Sequence, residues 1–466
     1  MTTGNIMSLK FSTLVLNPKL LENLKTLGFQ QMTPVQAEAL PAVLSQKDVI
    51  VQAKTGSGKT AVFGLHLLEN LNTESLDIQC LVLCPTRELA DQVATELRKF
   101  ARAIANVKII TLCGGVPLRK QVNSLEVGAH IVIGTPGRIE DHLKRGTLDL
   151  SELNVLVLDE ADRMLDMGFE KQVDFITEQI SNQPQVLLFS ATYPKEIEAI
   201  AKKLMSQPVM VKVAGDTATD IKQKFYKVAD NEARLEGIQL ILHQDQPDSV
   251  LVFCNTKSDV KALAKALGEL GFYVLALHGE MEQKDRDQTL IRFSNNSTSI
   301  LVATDIAARG LDINQLDAVI NYHVASDVAV YMHRIGRTGR AGFKGIAHSF
   351  YADKESYKMT RLEEYLQVKI DNSQLPEKSV LSHKLIKPKM MTLRISGGKK
   401  QKLRAGDILG ALTAEHGIQG SQVGKISLFE DCAYVAVERK VAQKAMNKLI
   451  NDKIKGKNVK VWLLKD

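Results

Sequence analysis

Few residues in this chain could staple it or anchor it to a membrane. Its 466 residues include one tryptophan and five cysteines. The cysteines, Cys80, Cys84, Cys113, Cys254 and Cys432, are scattered, odd in number and never spaced C-x-x-C. That pattern argues against a disulfide framework and against a zinc site, and it fits a reducing cytosol. No apolar run approaches the roughly 18 residues of a membrane span, and the first twenty residues hold no signal-peptide core. A cytoplasmic protein, neither exported nor membrane-embedded, is expected. Internal repeats and low-complexity segments are also missing. The length exceeds what one core organises, and 44% hydrophobic with 24% charged residues is enough to build several. A single small binding module and wholesale disorder are thereby excluded.

The charge is unevenly spread. Residues 384–466 carry 18 Lys and Arg against 7 Asp and Glu, whereas the preceding residues carry 42 against 46. An acidic body with a basic tail suggests an enzyme delivered to a polyanion, because clustered cations release the counterions condensed on phosphates. The plainer alternative is a solvated, solubilising face.

Six β-branched runs, DVIVQA, IQCLVLCP, VKIITLC, HIVIGTP, NVLVLDEAD and VLLFSAT, alternate with helical patterns before Pro208, and SVLVFCN, YVLALHG, SILVATD, AVINYH and IAHSFY follow it. Unalternating apolar runs mark strands buried on both faces, as in the parallel sheet of an α/β domain. Two such domains are expected, at residues 1–212 and 221–370. The small polar stretch VAGDTATD, whose residues 213–220 are taken as the first linker, separates them, and a second linker is expected at 371–389. From residue 390 to 466 the order is strand, helix, strand, strand, helix, strand, a small α+β domain.

KDVIVQA runs into AKTGSGKT, residues 53–60, and then into a helical pattern. Strand, glycine-rich loop and helix together make a phosphate-binding loop. The backbone N–H groups of Ala53, Lys54, Thr55, Gly56, Ser57 and Gly58 curl around a phosphate, Lys59 reaches the β- and γ-phosphates of ATP, and the Thr60 hydroxyl is placed to ligate Mg²⁺. Ala53 stands where such loops usually have their first glycine. Downstream, NVLVLDEAD ends a strand with Asp159, Glu160 and Asp162. Acids at the carboxyl end of a parallel strand lie where such sheets bind ligands, so Asp159 can hold Mg²⁺ through water while Glu160 polarises the attacking water. A lone Asp there would be read as a helix cap, but three acids in four positions exceed that need. Arg334, Arg337 and Arg340 fall within HRIGRTGR, residues 333–340, too dense for a sheet interior and suited to stabilising transferred phosphate. A surface salt-bridge cluster is the competing explanation.

With these motifs in order, the chain resembles the DEAD-box RNA helicases over about its first 365 residues. GFQQMTPVQ (28–36) is similar to that family's Q motif, expected over 9–37, with Gln36 placed to read adenine and Phe11 as the isolated upstream aromatic. PTRELA (85–90), Gly114-Gly115, TPGR (135–138), SAT (190–192), VFCNT (252–256), HGEMEQKDR (278–286) and ATDIAARGLD (303–312) complete the set. The resemblance implies two tandem RecA-like parallel-sheet domains using ATP and Mg²⁺. It implies Arg337 and Arg340 as arginine fingers, with Gly310 and Asp312 near the ribose. Asp162, Ser190, Thr192 and His333 would couple hydrolysis to strand opening, while Thr86, Arg87, Gly115, Thr135, Arg138, Gln283, Arg286 and Thr304 would hold RNA through phosphates and 2′-hydroxyls. NYHVA (321–325) departs from the family's NYD-x-P.

The tail's βαββαβ order resembles an RNA-recognition motif (RRM), yet its first strand lacks aromatics and its third keeps only Tyr434. RNA contacts are therefore expected from Arg394, Lys399, Lys400, Lys402 and Arg404, with Lys453, Lys455 and Lys457 beside them, and Trp462 is expected in the core. The segment RISGGKKQKLRAGDILGAL is similar to the bacterial DbpA subfamily. That likeness implies a tail that binds 23S ribosomal RNA and a role in large-subunit assembly. The expected function is an RNA-dependent ATPase and helicase, acting as a monomer. An ATP-gated RNA clamp that never unwinds and a DNA translocase are the alternatives.

Overall fold

The computed structural model describes residues 10–53, 56–213, 221–308, 316–325, 327–339 and 345–464. The unbroken apolar runs become strands with side chains buried on both faces. In the first unit β1 (Val49–Gln52), β2 (Cys80–Leu83), β3 (Ile109–Leu112), β4 (Ile131–Gly134), β5 (Val155–Leu158), β6 (Gln185–Ser190) and β7 (Val209–Lys212) form one sheet in the order β3-β4-β2-β5-β6-β1-β7. Every neighbouring pair is parallel. Alternate residues serve opposite layers: Val49 and Val51 pack with the helices Pro34–Leu44 and Lys59–Glu69, while Ile50 faces the layer that includes Ile139, Val173 and Ile197.

The chain divides near residue 217 into two compact units. The second unit contains β8 (Ile221–Lys227), β9 (Val250–Cys254), β10 (Val274–Leu277), β11 (Ile300–Thr304), β12 (Ala318–Asn321) and β13 (Gly345–Tyr351), parallel in the order β10-β11-β9-β12-β13-β8. The same unit carries an antiparallel sheet of β14 (Met390–Ser396), β15 (Val423–Leu428), β16 (Cys432–Glu438) and β17 (Val461–Leu463), ordered β15-β16-β14-β17. Leu393, Ile395, Val435 and Val437 turn inward onto Ile408, Leu412, Ala445 and Leu449 of two helices on one face. This is the α/β, α/β, α+β architecture expected from the sequence, with two additional strands, β7 and β8.

The other face of the small sheet is not open along its whole width. Thr392, Tyr434 and Ala436 point outward by strand alternation, yet all three are buried. Thr392 Oγ1 lies 2.6 Å from Ser297 Oγ and accepts from Asn295 Nδ2 at 3.2 Å, both on the loop before β11. Nearby, the Arg439 guanidinium stacks 5.0 Å from the Tyr273 ring, and its Nε donates to Pro388 O at 2.7 Å. Residues 371–389 run along the second sheet's own layer: Ser373 N donates to Phe225 O at 2.7 Å, and His243 Nδ1 lies 3.1 Å from His383 O. Toward β17 the face opens. Arg394 pairs across the strands with Tyr434 on one side and Trp462 on the other, its guanidinium 5.2 Å from the Trp462 ring. Trp462 is 42% exposed, so its expected core position is corrected: period-two alternation sends Val461 and Leu463 inward and their neighbour out.

Thr392→Val keeps the volume but removes the hydroxyl shared by Asn295 and Ser297. Leaving those groups buried without their partner should cost about 1–3 kcal/mol. Denaturant unfolding of the full chain, or hydrogen exchange across β14, should register the loss, whereas an unchanged midpoint would mean that the contact is incidental.

Candidate nucleotide and RNA site

In a parallel sheet all carboxyl ends lie on one edge, where ligands bind. The strand order of the first sheet divides that edge. The phosphate loop follows β1, the acids follow β5 and SAT follows β6, which are three adjacent strands. PTREL follows β2, Gly114-Gly115 follows β3 and TPGR follows β4, which are the adjacent three.

On the nucleotide half, Gly56 and Gly58 take φ of 82° and 92°, as the tight loop demands. Lys59, first residue of the helix Lys59–Glu69, is buried and donates from Nζ to Ala53 O at 2.9 Å, folding back over the loop. The Q-motif segment buttresses the same loop. Thr33 Oγ1 donates to Ser57 O at 2.8 Å and Gln36 Nε2 to Gly58 O at 3.1 Å, while Gln36 Oε1 accepts from Thr33 N at 2.9 Å. A Cβ on Gly58 would lie 2.5 Å from Gln36 Nε2 and push that amide away, and the φ of 92° is one that residues with a Cβ rarely adopt. The Gln36 amide is thus engaged with its own helix cap and the loop, and Phe11 is buried edge-on against Phe29. Lys54 and Thr55 lie outside the described residues.

The acids have distinct surroundings. Burial pushes the Asp159 carboxyl up to about 7, a rise that the Lys59 ammonium opposes and neighbouring Glu160 adds to. Glu160 caps the helix Ala161–Asp166 in the left-handed region, φ 51° and ψ 52°. That conformation costs a non-glycine residue roughly 1–2 kcal/mol, comparable to the roughly 1.5–3 kcal/mol of a hydrogen bond to a charged group. Glu160 has such a bond: its Oε2 accepts from Arg163 Nη1 at 2.8 Å. Asp162 Oδ2 accepts from Thr192 N and Thr192 Oγ1, each at 2.9 Å, and from Ala191 N at 3.2 Å, tying the acids to the segment after β6. The Ser190 hydroxyl is buried without a hydrogen-bond partner among the described residues. One carboxylate and one hydroxyl, Asp159 and Thr60, suit a hydrated Mg²⁺ shared with phosphates, which needs no protein cage. Among the described residues no cluster of three or more His, Cys, Asp or Glu forms one.

On the other half, Arg87 Nη1 donates to Gly114 O at 2.7 Å and passes over Gly115, whose φ is 77°. Any Cβ at Gly115 would overlap that guanidinium. Thr86 and Thr135 are the N-caps of the helices Arg87–Phe100 and Pro136–Lys144. Arg138 Nη1 donates to Val116 O at 2.9 Å and to Gln121 Oε1 at 2.6 Å, and Gln121 Nε2 donates to Cys113 O at 2.9 Å. Gln121, unremarkable in sequence, fastens two loops together; only its place on the inner face of an amphipathic helix could have marked it.

In the second unit Arg334 is enclosed. Its Nε and Nη2 each donate to the Asp305 carboxylate at 2.6 Å, Nη1 reaches Asn321 Oδ1 at 3.2 Å and His323 O at 2.7 Å, and Nη2 also reaches Asn255 Oδ1 at 3.0 Å. Every donor is in use, so this arginine joins the segments after β9, β11 and β12 and has none left for a phosphate. Arg337 is buried just beyond the helix Val328–Ile335, which carries His333. His323, where the family has Asp, is pushed by burial to about 4 and is neutral at pH 7. Arg286 Nη2 donates to Ala307 O at 2.7 Å, close to Thr304 at the end of β11, and Gln283 opens the same helix as Arg286. Gly310, Asp312 and Arg340 lie outside the described residues.

The basic tail residues separate into two places. Lys399, Lys400, Lys402 and Arg404 precede the helix Ala405–Thr413, where Lys455 Nζ joins them by donating to Lys402 O at 3.2 Å. Lys400 is paired with Asp431 at 2.7 Å. Arg394 stands apart on the outer sheet face.

Three families match this chain in succession: DEAD/DEAH box helicase over residues 33–200, helicase conserved C-terminal domain over 232–342 and DbpA RNA binding domain over 392–463. The chain is 50% identical over 457 residues to the ATP-dependent RNA helicase DbpA of Escherichia coli, covering 98% of this chain and 99% of that protein. It is 36% identical to the Bacillus subtilis protein of the same name, over 97% of this chain and 98% of that one. Among solved structures, Saccharomyces cerevisiae Dbp5 bound to RNA and ADP BeF3 superposes with a TM-score of 0.71 at 28% identity, covering 78% of this chain and 96% of that one.

Gly115→Ala should displace Arg87 without touching the phosphate loop. RNA affinity should fall about tenfold, the equivalent of one charge-assisted hydrogen bond, while ATP affinity holds. Parallel titrations with labelled RNA and a fluorescent nucleotide measure both, and equal losses would place Arg87 in a purely structural role.

Proposed function

The chain belongs to the DEAD-box ATP-dependent RNA helicases, and from that footing we propose that it opens RNA locally within 23S ribosomal RNA during large-subunit assembly, as a cytoplasmic monomer. The observation that carries the reading is the single carboxyl edge shared by phosphate loop, acids and RNA-type loops, with Asp162 pinning the acids to Ala191 and Thr192. The finer target rests on the likeness of the tail to the DbpA subfamily. No helix among the described residues is long and apolar enough to cross a membrane.

Lys59 and the backbone of residues 53–58 hold the phosphates, and Glu160 accepts the proton of the attacking water. Thr60 and Asp159 hold Mg²⁺, which neutralises phosphate charge when bound. Phe11 and Gln36 serve the adenine, so the Gln36 amide must exchange at least one of its present partners for the base. Gly310 and Asp312 approach the ribose. Arg337 and Arg340 stabilise charge on the transferred phosphate. Asp162, Ser190, Thr192 and His333 pass the state of the nucleotide to the RNA loops. Thr86, Arg87, Gly115, Thr135, Arg138, Gln283, Arg286 and Thr304 grip the RNA backbone, which distinguishes RNA from DNA without reading sequence. Arg394, Lys399, Lys400, Lys402 and Arg404 provide the tail's affinity.

Lys59→Ala should abolish ATP binding, whereas Glu160→Gln should bind ATP and RNA normally but barely turn over. Nucleotide titration beside phosphate-release assays separates the two, and equal loss of ATP affinity would contradict the division of labour.

Replacing Lys399, Lys402 and Lys455 with Glu in the full chain should erase preference for a 23S fragment over unrelated RNA but spare ATPase activity at saturating RNA. Each lost phosphate contact should flatten the plot of log K against log salt by about 0.7–0.9. An unchanged slope and preference would make the basic cluster a solubilising face.

A further inference from the structure

Arg163 is assigned nothing in the scheme above, yet it is placed where a charge is expensive and consequential. It is the third residue of the helix Ala161–Asp166, one turn beyond Glu160, and its side chain is only 5% exposed. A guanidinium on a short helix ordinarily turns to water. Here it turns inward to the Glu160 carboxylate, itself 6% exposed, and donates from Nη1 to Oε2 at 2.8 Å.

The backbone explains why Glu160 needs this. An N-cap residue ordinarily lies in the extended region and accepts from the first turn's N–H groups. Glu160 sits in the left-handed region, and its side chain makes no such cap bond. Arg163 gives the carboxylate on this strained backbone a side-chain anchor. The planar fork of an arginine selects one orientation of a carboxylate.

We propose that Arg163 is a positioning residue for hydrolysis, holding the Glu160 carboxylate in one orientation, aimed at the attacking water. This rests on the reading of Glu160 as the proton acceptor. In that step the water oxygen bonds to the γ-phosphorus as the bond to the β–γ bridging oxygen breaks. The bridging oxygen leaves with its electron pair on ADP, and the water proton passes to Glu160. Arg163 acts on Glu160 through the Nη1–Oε2 hydrogen bond.

The test uses the full-length protein with saturating RNA and compares Glu160→Gln, Arg163→Met, Arg163→Lys and the Arg163→Met, Glu160→Gln double variant. Arg163→Met should lower kcat about tenfold or more, a fraction of the 10²–10⁴ that a positioned base contributes, with KM for ATP close to that of the parent in protein that remains folded at the assay temperature. Arg163→Lys should restore part of kcat, since it keeps the charge and loses the fork. In the Glu160→Gln background, removal of Arg163 should cost nothing further in single-turnover phosphate release. Unchanged kcat in Arg163→Met overturns the proposal. So does a fall in ATP affinity that parallels the rate, or an additive loss in the double variant. If Arg163→Met fails to fold, Arg163→Lys carries the test alone: parental kcat in it overturns the proposal, and a lowered kcat with intact KM sustains it. Normal turnover by Glu160→Gln would remove the reading of Glu160, and the inference with it, whereas an inactive Glu160→Gln beside a fully active Arg163→Met would remove the inference alone.

Discussion

Charge buried at the end of a parallel strand must be compensated on the spot, and the first unit's site is organised around that requirement. Lys59, Asp159, Glu160, Asp162 and Arg163 are all buried. An ion withdrawn from water and left alone costs several kcal/mol. Each therefore brings a partner to the same edge: Lys59 takes a loop carbonyl, Glu160 takes Arg163, and Asp162 takes the amides and hydroxyl after β6. Asp159 is the member for which burial prevails, and there a divalent cation has the most to offer. These partnerships fix the loops, and the loops fix the site.

The second unit solves the same problem with one arginine. Arg334 spends every donor on three loop segments and so behaves as a rivet, although HRIGRTGR offers three guanidiniums of identical chemistry. Lysine could not take its place, because a point charge with three donors cannot serve a bidentate carboxylate, two asparagine side-chain oxygens and a backbone carbonyl at once.

How much of this the sequence disclosed depended on how strongly each segment had to declare itself. VLVL and CLVL are buried on both faces and can only be interior strands; VMVK and IKQKFYK became β7 and β8 on outer edges, where water tolerates polar side chains and the apolar signal fades. The phosphate loop was legible because its glycines and lysine come in a spacing with few other uses. Gln121 and Arg163 were not, because a helix surface carries such residues everywhere and only the fold shows which of them turn inward. Arg163 did leave a trace, as three residues from Glu160 is the spacing of helical neighbours. Trp462 was misplaced because aromatic size suggests burial, while strand alternation dictates the side.

The contacts of Thr392 and Arg439 with the second sheet change what the tail can be mechanically. A domain on a flexible tether raises the local concentration of its cargo and forgets its direction, so lengthening the tether by a few residues changes little. A domain bolted to its neighbour acts as a lever arm: its cargo arrives at a set angle, and glycines inserted among residues 371–389 would disturb that angle far more than they would alter reach.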